Sequence, residues 1–445
     1  MYESSADPTS AGDEHNTQGS GRRTLLAIAF HYPPDNSSTG VLRTLKFTQY
    51  LVDFGWRSEV ISAPEKLYAN LDSRLTQDVP AEVRIHRPWA ADSRELFGIK
   101  GRYPRFLAVP DRYWTWFFGA RRTGRSLLAR NHIDAIYSTF PFPTAHLIAL
   151  ALKKSSGLPW IADFRDSWVD SFLGPVRYRV DSWLERKVIE NADRVVLNTP
   201  AMQRYYVSRY PDQPASKFLT IPNGYDENDF KALDFSPGPL FEVICAGWLN
   251  SENRDPEAML KAAALAAERG WIPKKELLLT FLGAGPYASS KRFEEQLRRY
   301  DLRDNIEVTV QRVPYAEALS RQARADVLVV LTDDAQRLGT NRDWTFMAVP
   351  AKLYEYLRLG KSMLVVSDAE AVRELLSEVN ATAPIFPTDT ERAAAVLRDA
   401  YSHRTRSRGL QLDPAVRRYE RRELTRKLAC LLNDLVAGKP SPAQR

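Results

Sequence analysis

Cysteine and long apolar runs are both scarce in this chain of 445 residues. Its two cysteines, Cys245 and Cys430, are too few for a disulfide framework or a zinc site. Each lies in an apolar pattern, so we expect two buried thiols, as is usual in a reducing cytosol. No run of about 18 apolar residues occurs, so we expect no membrane-spanning helix. These absences favour a cytoplasmic protein.

The net charge indicates which partners the protein could bind, and the N-terminal segment indicates how the chain begins. The formal net charge is +7, which favours anionic partners: phosphorylated substrates, acidic lipid surfaces or nucleic acid. The charge alone does not choose among them. Residues 1–22 are rich in Ser, Gly, Asp and Glu and lack the basic-then-apolar order of a signal peptide. We therefore expect a disordered tail there.

From Arg23 onward, short apolar runs alternate with helical patterns in two successive series. Such runs are typical of strands buried on both faces of a parallel sheet. The runs are Leu25–Phe30, Glu59–Ala63, Ala135–Thr139, Trp160–Phe164 and Arg194–Asn198, then Phe241–Ala246, Leu277–Leu282, Ile306–Val310, Val327–Leu331 and Met363–Val366. We predict an α/β protein with two Rossmann-like, doubly wound domains at residues 23–224 and 225–411. A basic helix beginning at Asp413 follows, and we expect residues 412–437 to pack back across the domains.

The loop after the first predicted strand is rich in small residues and ends at Thr39 and Gly40, where a helix begins. Ligands of doubly wound sheets lie at the carboxyl ends of strands, and a helix N-terminus offers N–H groups to an anion. The loop is longer than the ~2–6 residues usual at such a connection, which favours ligand binding over an ordinary flexible loop. Thr39 and Gly40 are therefore candidate donor-binding residues.

Charged residues surround the end of the predicted strand Trp160–Phe164. They are Asp163, Arg165 and Asp166. Because active sites of this architecture form at strand ends, these three residues are the candidate catalytic group. The alternative is a structural ion-pair cluster that fixes the loop.

A candidate phosphate site follows the first strand of the second domain. Gly247 and Trp248 follow that strand, and Arg254 precedes an Asp-Pro helix start. The Arg254 guanidinium is placed to hold a diphosphate together with the helix N-terminus. A solvated arginine beside a helix cap is the alternative.

A second candidate phosphate site is the helix that begins at Pro350. Lys352 and Leu353 lie in its first turn, and Glu355 lies one turn further in. First-turn amides bind phosphate oxygens, and a carboxylate has two acceptor oxygens for the hydroxyls of a ribose. An exposed helix with solvated Lys and Glu side chains is the alternative.

Together these segments resemble the GT4 family of retaining glycosyltransferases, which have the GT-B fold of two domains facing a cleft. The resemblance spans residues 24–437 and rests on LLAIAFHYPPDNSSTGVLRTLKFTQYL, PWIADFRDSW, IPNGYDENDF and VPAKLYEYLRLGKSMLVVSD, in that order. The second segment resembles a branch linked to bacterial surface polysaccharides. The resemblance implies transfer of a sugar from a nucleotide-sugar donor, with retention of configuration and without a metal or other cofactor.

The resemblance also implies roles for single residues. Gly40 would let its loop approach the donor diphosphate or the acceptor. Arg254, Lys352 and the amides after Pro350 would lie near the phosphates, and Glu355 would hold the ribose.

Two positions depart from the family pattern. Met347 stands where the family has the first of two paired glutamates, and Trp248 stands where it has an arginine. These departures motivate an alternative hypothesis, a catalytically weak GT-B subunit that binds a sugar nucleotide or a partner protein. Asp333 and Asp334 have no further carboxylate or histidine at ligand spacing, so we predict no metal site.

We expect the acceptor to bind the N-terminal domain and to be a glycan or a lipid-linked acceptor. Residues 102–125 mix aromatic side chains with arginines, which suits the surface of an anionic membrane. Peripheral contact with the inner face of the cell membrane is therefore one interpretation, and a helix pair with its aromatics in the core is the other. No nucleic-acid-binding motif is recognisable, so we expect no nucleic-acid partner.

Overall fold

A computed structural model describes residues 22–37, 40–98, 103, 108–169, 174–251, 254–332, 346–404 and 413–438. The predicted tail, apart from Arg22, lies outside the described residues, as do Thr39, Asp333 and Asp334. Within these ranges no helix combines the length and the hydrophobicity that crossing a bilayer requires.

The N-terminal domain is a seven-stranded parallel sheet in the order β3-β2-β1-β4-β5-β6-β7. The strands are β1 (Arg23–Ala29), β2 (Trp56–Ile61), β3 (Val83–His86), β4 (Ala135–Thr139), β5 (Trp160–Phe164), β6 (Arg194–Leu197) and β7 (Phe218–Thr220). The helices described between them are α1 (Gly40–Leu51), α2 (Ser93–Phe97), α3 (Trp116–Arg130), α4 (Pro143–Ser156), α5 (Pro175–Asn191) and α6 (Pro200–Arg209). The strand order reverses between β1 and β4, which is where doubly wound sheets bind ligands.

The second domain is a five-stranded parallel sheet in the order β10-β9-β8-β11-β12. Its strands are β8 (Phe241–Ala246), β9 (Leu277–Leu282), β10 (Ile306–Thr309), β11 (Val327–Leu331) and β12 (Ser362–Val366). Its helices are α7 (Glu257–Glu268), α8 (Lys291–Arg299), α9 (Tyr315–Arg324), α10 (Ala351–Leu359), α11 (Glu370–Glu378) and α12 (Thr390–Ser402). Two parallel sheets with alternating helices confirm the predicted fold class.

The C-terminal segment differs from the single helix that the sequence predicts. It forms α13 (Pro414–Arg417) and α14 (Arg421–Ala437), separated by a short break. At the break, the backbone of Tyr225 accepts a hydrogen bond from Arg421 N at 2.8 Å and donates one to Tyr419 O at 3.1 Å. The chain leaves helical geometry here because this pairing with the interdomain segment uses its backbone groups.

Helix α14 packs against α1 of the N-terminal domain. Its apolar face is buried in the same cluster as β1 and α1, and comprises Leu424, Leu428, Ala429 and Leu432. Cys245 is buried as expected, but the expectation of a buried Cys430 is wrong, because this residue lies on the exposed face of α14.

Candidate active site in the interdomain cleft

A cavity of about 470 Å³ lies between the two domains at the carboxyl ends of their strands. Both domains and the C-terminal helix contribute to its wall. The described lining residues are Gly40, Arg165, Asp166, Asn198, Asn223, Ala246, Gly247, Arg254, Leu331, Thr332, Ala348, Val349, Pro350, Ala351, Lys352 and Arg421. The cavity therefore brings together most of the residues that the sequence singled out.

The start of α10 forms one wall of this cavity. The segment from Ala348 to Lys352 lines it, so the positive end of the helix dipole faces the open space. Lys352 reaches back to the end of β8, where its Nζ donates to Ala246 O at 2.7 Å. Burial lowers the pKa of Lys352, and the neighbouring Arg254 acts in the same direction. Leu353 is buried behind this wall, and its N–H already donates to Pro350 O at 3.0 Å.

The loop after β8 contributes Arg254, which lines the cavity, whereas Trp248 does not. The Trp248 side chain is 63% exposed and lies over Gly285. A Cβ atom at Gly285 would lie 1.3 Å from Trp248 Nε1, so the indole position depends on this glycine. Trp248 thus sits beside the cavity-lining Gly247 and not in the wall itself.

Arg165 lies against Gly40 on the N-terminal side of the cavity. A Cβ atom at Gly40 would lie 1.6 Å from Arg165 Nη1, so the absence of a side chain at Gly40 makes room for the guanidinium. Arg165 is only 7% exposed, and its Nε has no hydrogen-bond partner within the described structure. Burial lowers the pKa of Arg165, although Asp166 opposes this effect. A buried guanidinium with unused donors is suited to an anionic ligand.

The two aspartates of the candidate catalytic group lie in different environments. Asp166 opens onto the cavity. Its pKa is raised because the cleft walls limit its hydration, and Arg165 only partly offsets this effect. Asp163 is fully buried, and its carboxylate accepts hydrogen bonds from Nε (3.0 Å) and Nη2 (2.8 Å) of Arg43. Tyr137 and Thr139 also donate to it, at 2.6 Å and 2.8 Å.

Burial acts to raise the pKa of Asp163, but Arg43 and these hydroxyl donors outweigh it, so the pKa is lowered. Arg43 also donates to the backbone oxygens of Ile221 and Pro222, each at 2.8 Å. Asp163 therefore joins α1, β5 and the interdomain segment. Its geometry matches the structural ion-pair alternative, and a direct catalytic role for it stays a prediction.

Glu355 lies one turn beyond the cavity wall on α10. Tyr315 Oη is 3.1 Å from Glu355 Oε1 and 3.1 Å from Asp229 Oδ2, so the tyrosine joins the two carboxyl groups. Burial raises the pKa of Glu355 to about 7, while Arg421 acts to lower it. The predicted contact of Glu355 with a ribose remains a prediction.

Arg421, the first residue of α14, also lines the cavity, although the sequence did not predict it as a site residue. The residue belongs to a helix with many basic side chains, and the pattern did not distinguish the one that turns inward. The pairing of residue 421 with Tyr225 was the missing signal, because it ends α13 and starts a new helix at the cleft.

The charge of the cavity is strongly positive. Among the described lining residues, the charged side chains are Arg165, Arg254, Lys352, Arg421 and a single carboxylate, Asp166. Four cations around one acid, together with a helix N-terminus, define an anion-binding site.

Met347 lies next to this site in a position that an acidic residue occupies in the resembled family. It is 8% exposed, and its backbone oxygen accepts a hydrogen bond from Thr199 Oγ1 at 2.7 Å across the domains. With Arg165 and Asp166 it borders a small hollow of about 10 Å³. Nowhere in the described ranges do three or more His, Cys, Asp or Glu side chains group as metal ligands.

The aromatic and basic segment of the N-terminal domain is divided between core and surface. Tyr113 and Trp116 are buried, whereas Phe118 is 61% exposed. The stretch from Phe118 to Arg125 borders a separate hollow of about 220 Å³, lined by Phe118, Arg121, Arg122 and Arg125. Core packing thus explains part of this segment, and Phe118 with its arginines remains on the surface.

Comparisons with known proteins agree with this geometry. Residues 40–224 match the family model described as a glycosyl transferase 4-like domain. No curated protein matches the chain significantly.

Several solved structures share the whole architecture. Sucrose-phosphate synthase from Thermosynechococcus elongatus has 14% identity and a TM-score of 0.62, covering 94% of this chain and 100% of its own. Anabaena HepE, in complex with UDP and glucose, has 15% identity and a TM-score of 0.58, covering 93% and 100%. The lipopolysaccharide outer core galactosyltransferase WaaB has 12% identity and a TM-score of 0.56, covering 94% and 100%.

At these identities the structural likeness establishes the fold, which is GT-B. The family-model match in the first domain and the two-domain architecture together support a glycosyltransferase of the GT-B type.

Proposed function

We propose that this protein transfers a sugar from a nucleotide-sugar donor to a glycan or lipid-linked acceptor, without a metal ion. The observation that carries the proposal is the convergence of four cations and the N-terminus of α10 on one interdomain cavity. A cavity of about 470 Å³ is in the range of sites that bind small molecules and cofactors. A diphosphate is the part of a nucleotide sugar that needs such a concentration of positive charge.

The same groups have a chemical role in the proposed reaction. Breaking the bond between the sugar and the diphosphate leaves negative charge on the diphosphate oxygens. Lys352 is held by its hydrogen bond to Ala246 O, and the first amides of α10 belong to a helix, so both stabilise this charge without reorganising. Arg254 adds a further positive charge at the cavity wall. In this proposal they replace a divalent cation.

The two walls of the cavity receive different substrates in this proposal. The donor diphosphate lies against α10, with its ribose at Glu355. The acceptor approaches the N-terminal wall at Asp166, while the Arg165 guanidinium, which lies beside Gly40 on that wall, reaches toward the donor diphosphate. Asp166 is positioned to accept a hydrogen bond from a sugar hydroxyl.

The donor nucleotide, the stereochemistry and the biosynthetic role are proposed from similarity to known enzymes. The complexes of HepE with UDP and UDP-glucose make uridine nucleotides the first donors to test. The resemblance to GT4 enzymes supports retention of configuration, and the likeness to WaaB is compatible with a role in surface polysaccharide or glycoconjugate synthesis. We propose a cytoplasmic site of action.

The buried Met347 keeps a second candidate function open, a catalytically weak subunit that binds the nucleotide sugar without transferring it. Turnover separates the two. The protein is incubated in EDTA with UDP-, GDP- and dTDP-sugars, with release of nucleoside diphosphate as the readout. We expect release with at least one donor and a loss of 100-fold or more in Lys352→Met and Arg254→Ala, but not in the exposed control Lys291→Met. Tight donor binding without release would favour the binding-only function.

Contact with an anionic membrane is proposed for the exposed surface around Phe118. Exposed aromatic rings beside arginines bind the interface of anionic bilayers. We expect the protein to sediment with vesicles of phosphatidylcholine and phosphatidylglycerol but not with phosphatidylcholine alone. Arg121→Glu with Arg122→Glu should abolish this binding, whereas the same reversal at Arg298 and Arg299, on the exposed face of α8, should retain most of it. Equal effects of the two charge reversals would contradict the proposal.

A further inference from the structure

Arg421 differs from the other arginines at the start of α14 in its surroundings. It is 8% exposed and lines the interdomain cavity, although it belongs to a helix whose other basic side chains face outward. The adjacent Arg422 is exposed and pairs with Asp53 at 3.0 Å, and the exposed Arg426 pairs with Glu423. Arg421 is the member of this group that turns into the cleft.

The Arg421 guanidinium forms no salt bridge and no side-chain hydrogen bond with any residue that the structure describes. Two carboxyl groups, those of Glu355 and Asp226, act electrostatically on Arg421 but have other hydrogen-bond or ion-pair partners. Glu355 bonds to Tyr315, and Asp226 pairs with Lys46 at 2.8 Å and accepts from Tyr50 at 2.7 Å. A buried cation without a partner is unfavourable for the unliganded protein, so its charge is available to a ligand.

The position of this guanidinium is set by the backbone and not by the side chain alone. Arg421 N donates to Tyr225 O at 2.8 Å, so the first residue of α14 is attached to the interdomain segment. Gly224 permits this approach, because a Cβ atom there would lie 2.0 Å from Tyr419 O. This contact fixes the first residue of α14 at the edge of the cavity.

We propose that Arg421 binds the diphosphate of the nucleotide-sugar donor, so that the C-terminal helix is part of the donor site. This inference rests on the proposed function and extends it to an element outside both sheets. The ligand class is a nucleoside diphosphate, whose two charged phosphates match the unpaired guanidiniums of Arg421 and Arg165 together with Lys352. Because α14 packs on the N-terminal domain and α10 belongs to the second, one bound diphosphate joins the two domains.

The test uses isothermal titration in EDTA with UDP, GDP and dTDP, and continues with the tightest binder. Arg421→Met should weaken binding of that nucleotide at least tenfold, Arg421→Lys should weaken it less, and Arg422→Met should leave it unchanged. The corresponding nucleoside, which lacks phosphates, should bind wild type and Arg421→Met equally. Without ligand, Arg421→Met should melt at the same temperature as wild type or higher, because it removes an unpaired buried charge.

Two outcomes would overturn the inference alone: equal nucleotide binding by Arg421→Met and wild type, or a lower melting temperature of unliganded Arg421→Met, which would indicate a structural role. Failure of the wild type to bind any of the three nucleoside diphosphates would instead overturn the proposed function, and this inference with it.

Discussion

Replacement of Glu355 by Gln tests whether burial raises the pKa of this carboxyl group, which we propose binds the donor ribose. Burial raises the pKa of this carboxyl group from an ordinary 4.5 to about 7. The folded protein therefore binds more protons than the unfolded chain between these two values, so the contribution of Glu355 to stability falls as the pH rises through this window. Each pKa unit corresponds to about 1.4 kcal/mol, so the full effect is on the order of 3 kcal/mol above pH 7.

The assay is urea unfolding at pH 5, 6, 7 and 8 without ligand. Glu355→Gln keeps the shape of the protonated side chain and cannot ionise. We expect the variant to gain stability relative to wild type as the pH rises, with little further change above pH 8. The exposed Glu317→Gln on α9 is the control and should show no such trend. Parallel stability curves for Glu355→Gln and wild type would show that Glu355 does not titrate with a raised pKa in the folded protein.

Donor binding should also depend on the ionisation of Glu355, in the opposite sense to stability and in the wild type only. An ionised Glu355 can accept two ribose hydroxyls, so wild-type affinity for the nucleoside diphosphate should rise between pH 5 and 8. In Glu355→Gln the affinity should be weaker and nearly independent of this ionisation. An unchanged pH dependence would remove Glu355 from the donor site.

Two other substitutions test how the cavity is built. Asp163→Ala leaves Arg43 buried without its partner, so we expect the free energy of unfolding in urea to fall by about 3–5 kcal/mol. In the exposed control Asp53→Ala it should fall by less than about 1 kcal/mol. An equally small loss for Asp163→Ala would show that the ion pair is not structural. Gly40→Ala places a methyl group where Arg165 Nη1 lies, so the flexible end of Arg165 must move while the fold is retained. Gly40→Ala should weaken donor binding, and adding Arg165→Ala to it should have little further effect; full additivity of the two substitutions would contradict the contact.

Much of the fold was predictable because its signals are local. Strands buried on both faces appear as continuous apolar runs, and the helix α10 ends at Gly360, whose positive φ of 63° suits glycine. Lys352 and Arg254 were predicted because each lies beside a helix start in the sequence, where backbone N–H groups face an anion.

The parts that were missed depend on contacts between distant segments. Asp163 and Asp166 are three residues apart, yet one is held by Arg43 from α1 and the other opens onto the cleft. Arg421 reaches the site because Tyr225, nearly two hundred residues earlier, pairs with its backbone. Neither contact leaves a periodic pattern in the sequence, since each depends on how separate elements pack.

Metal-independent binding of the donor in the interdomain cavity is tested most directly by a crystal structure of the protein with a bound nucleoside diphosphate, determined in EDTA and again with magnesium. The proposed function predicts the same pose in both, with phosphate oxygens within hydrogen-bond distance of Lys352 Nζ and the first amides of α10, and with no ion between protein and diphosphate. A diphosphate bound outside the interdomain cavity, or bound there only through a metal ion, would contradict it.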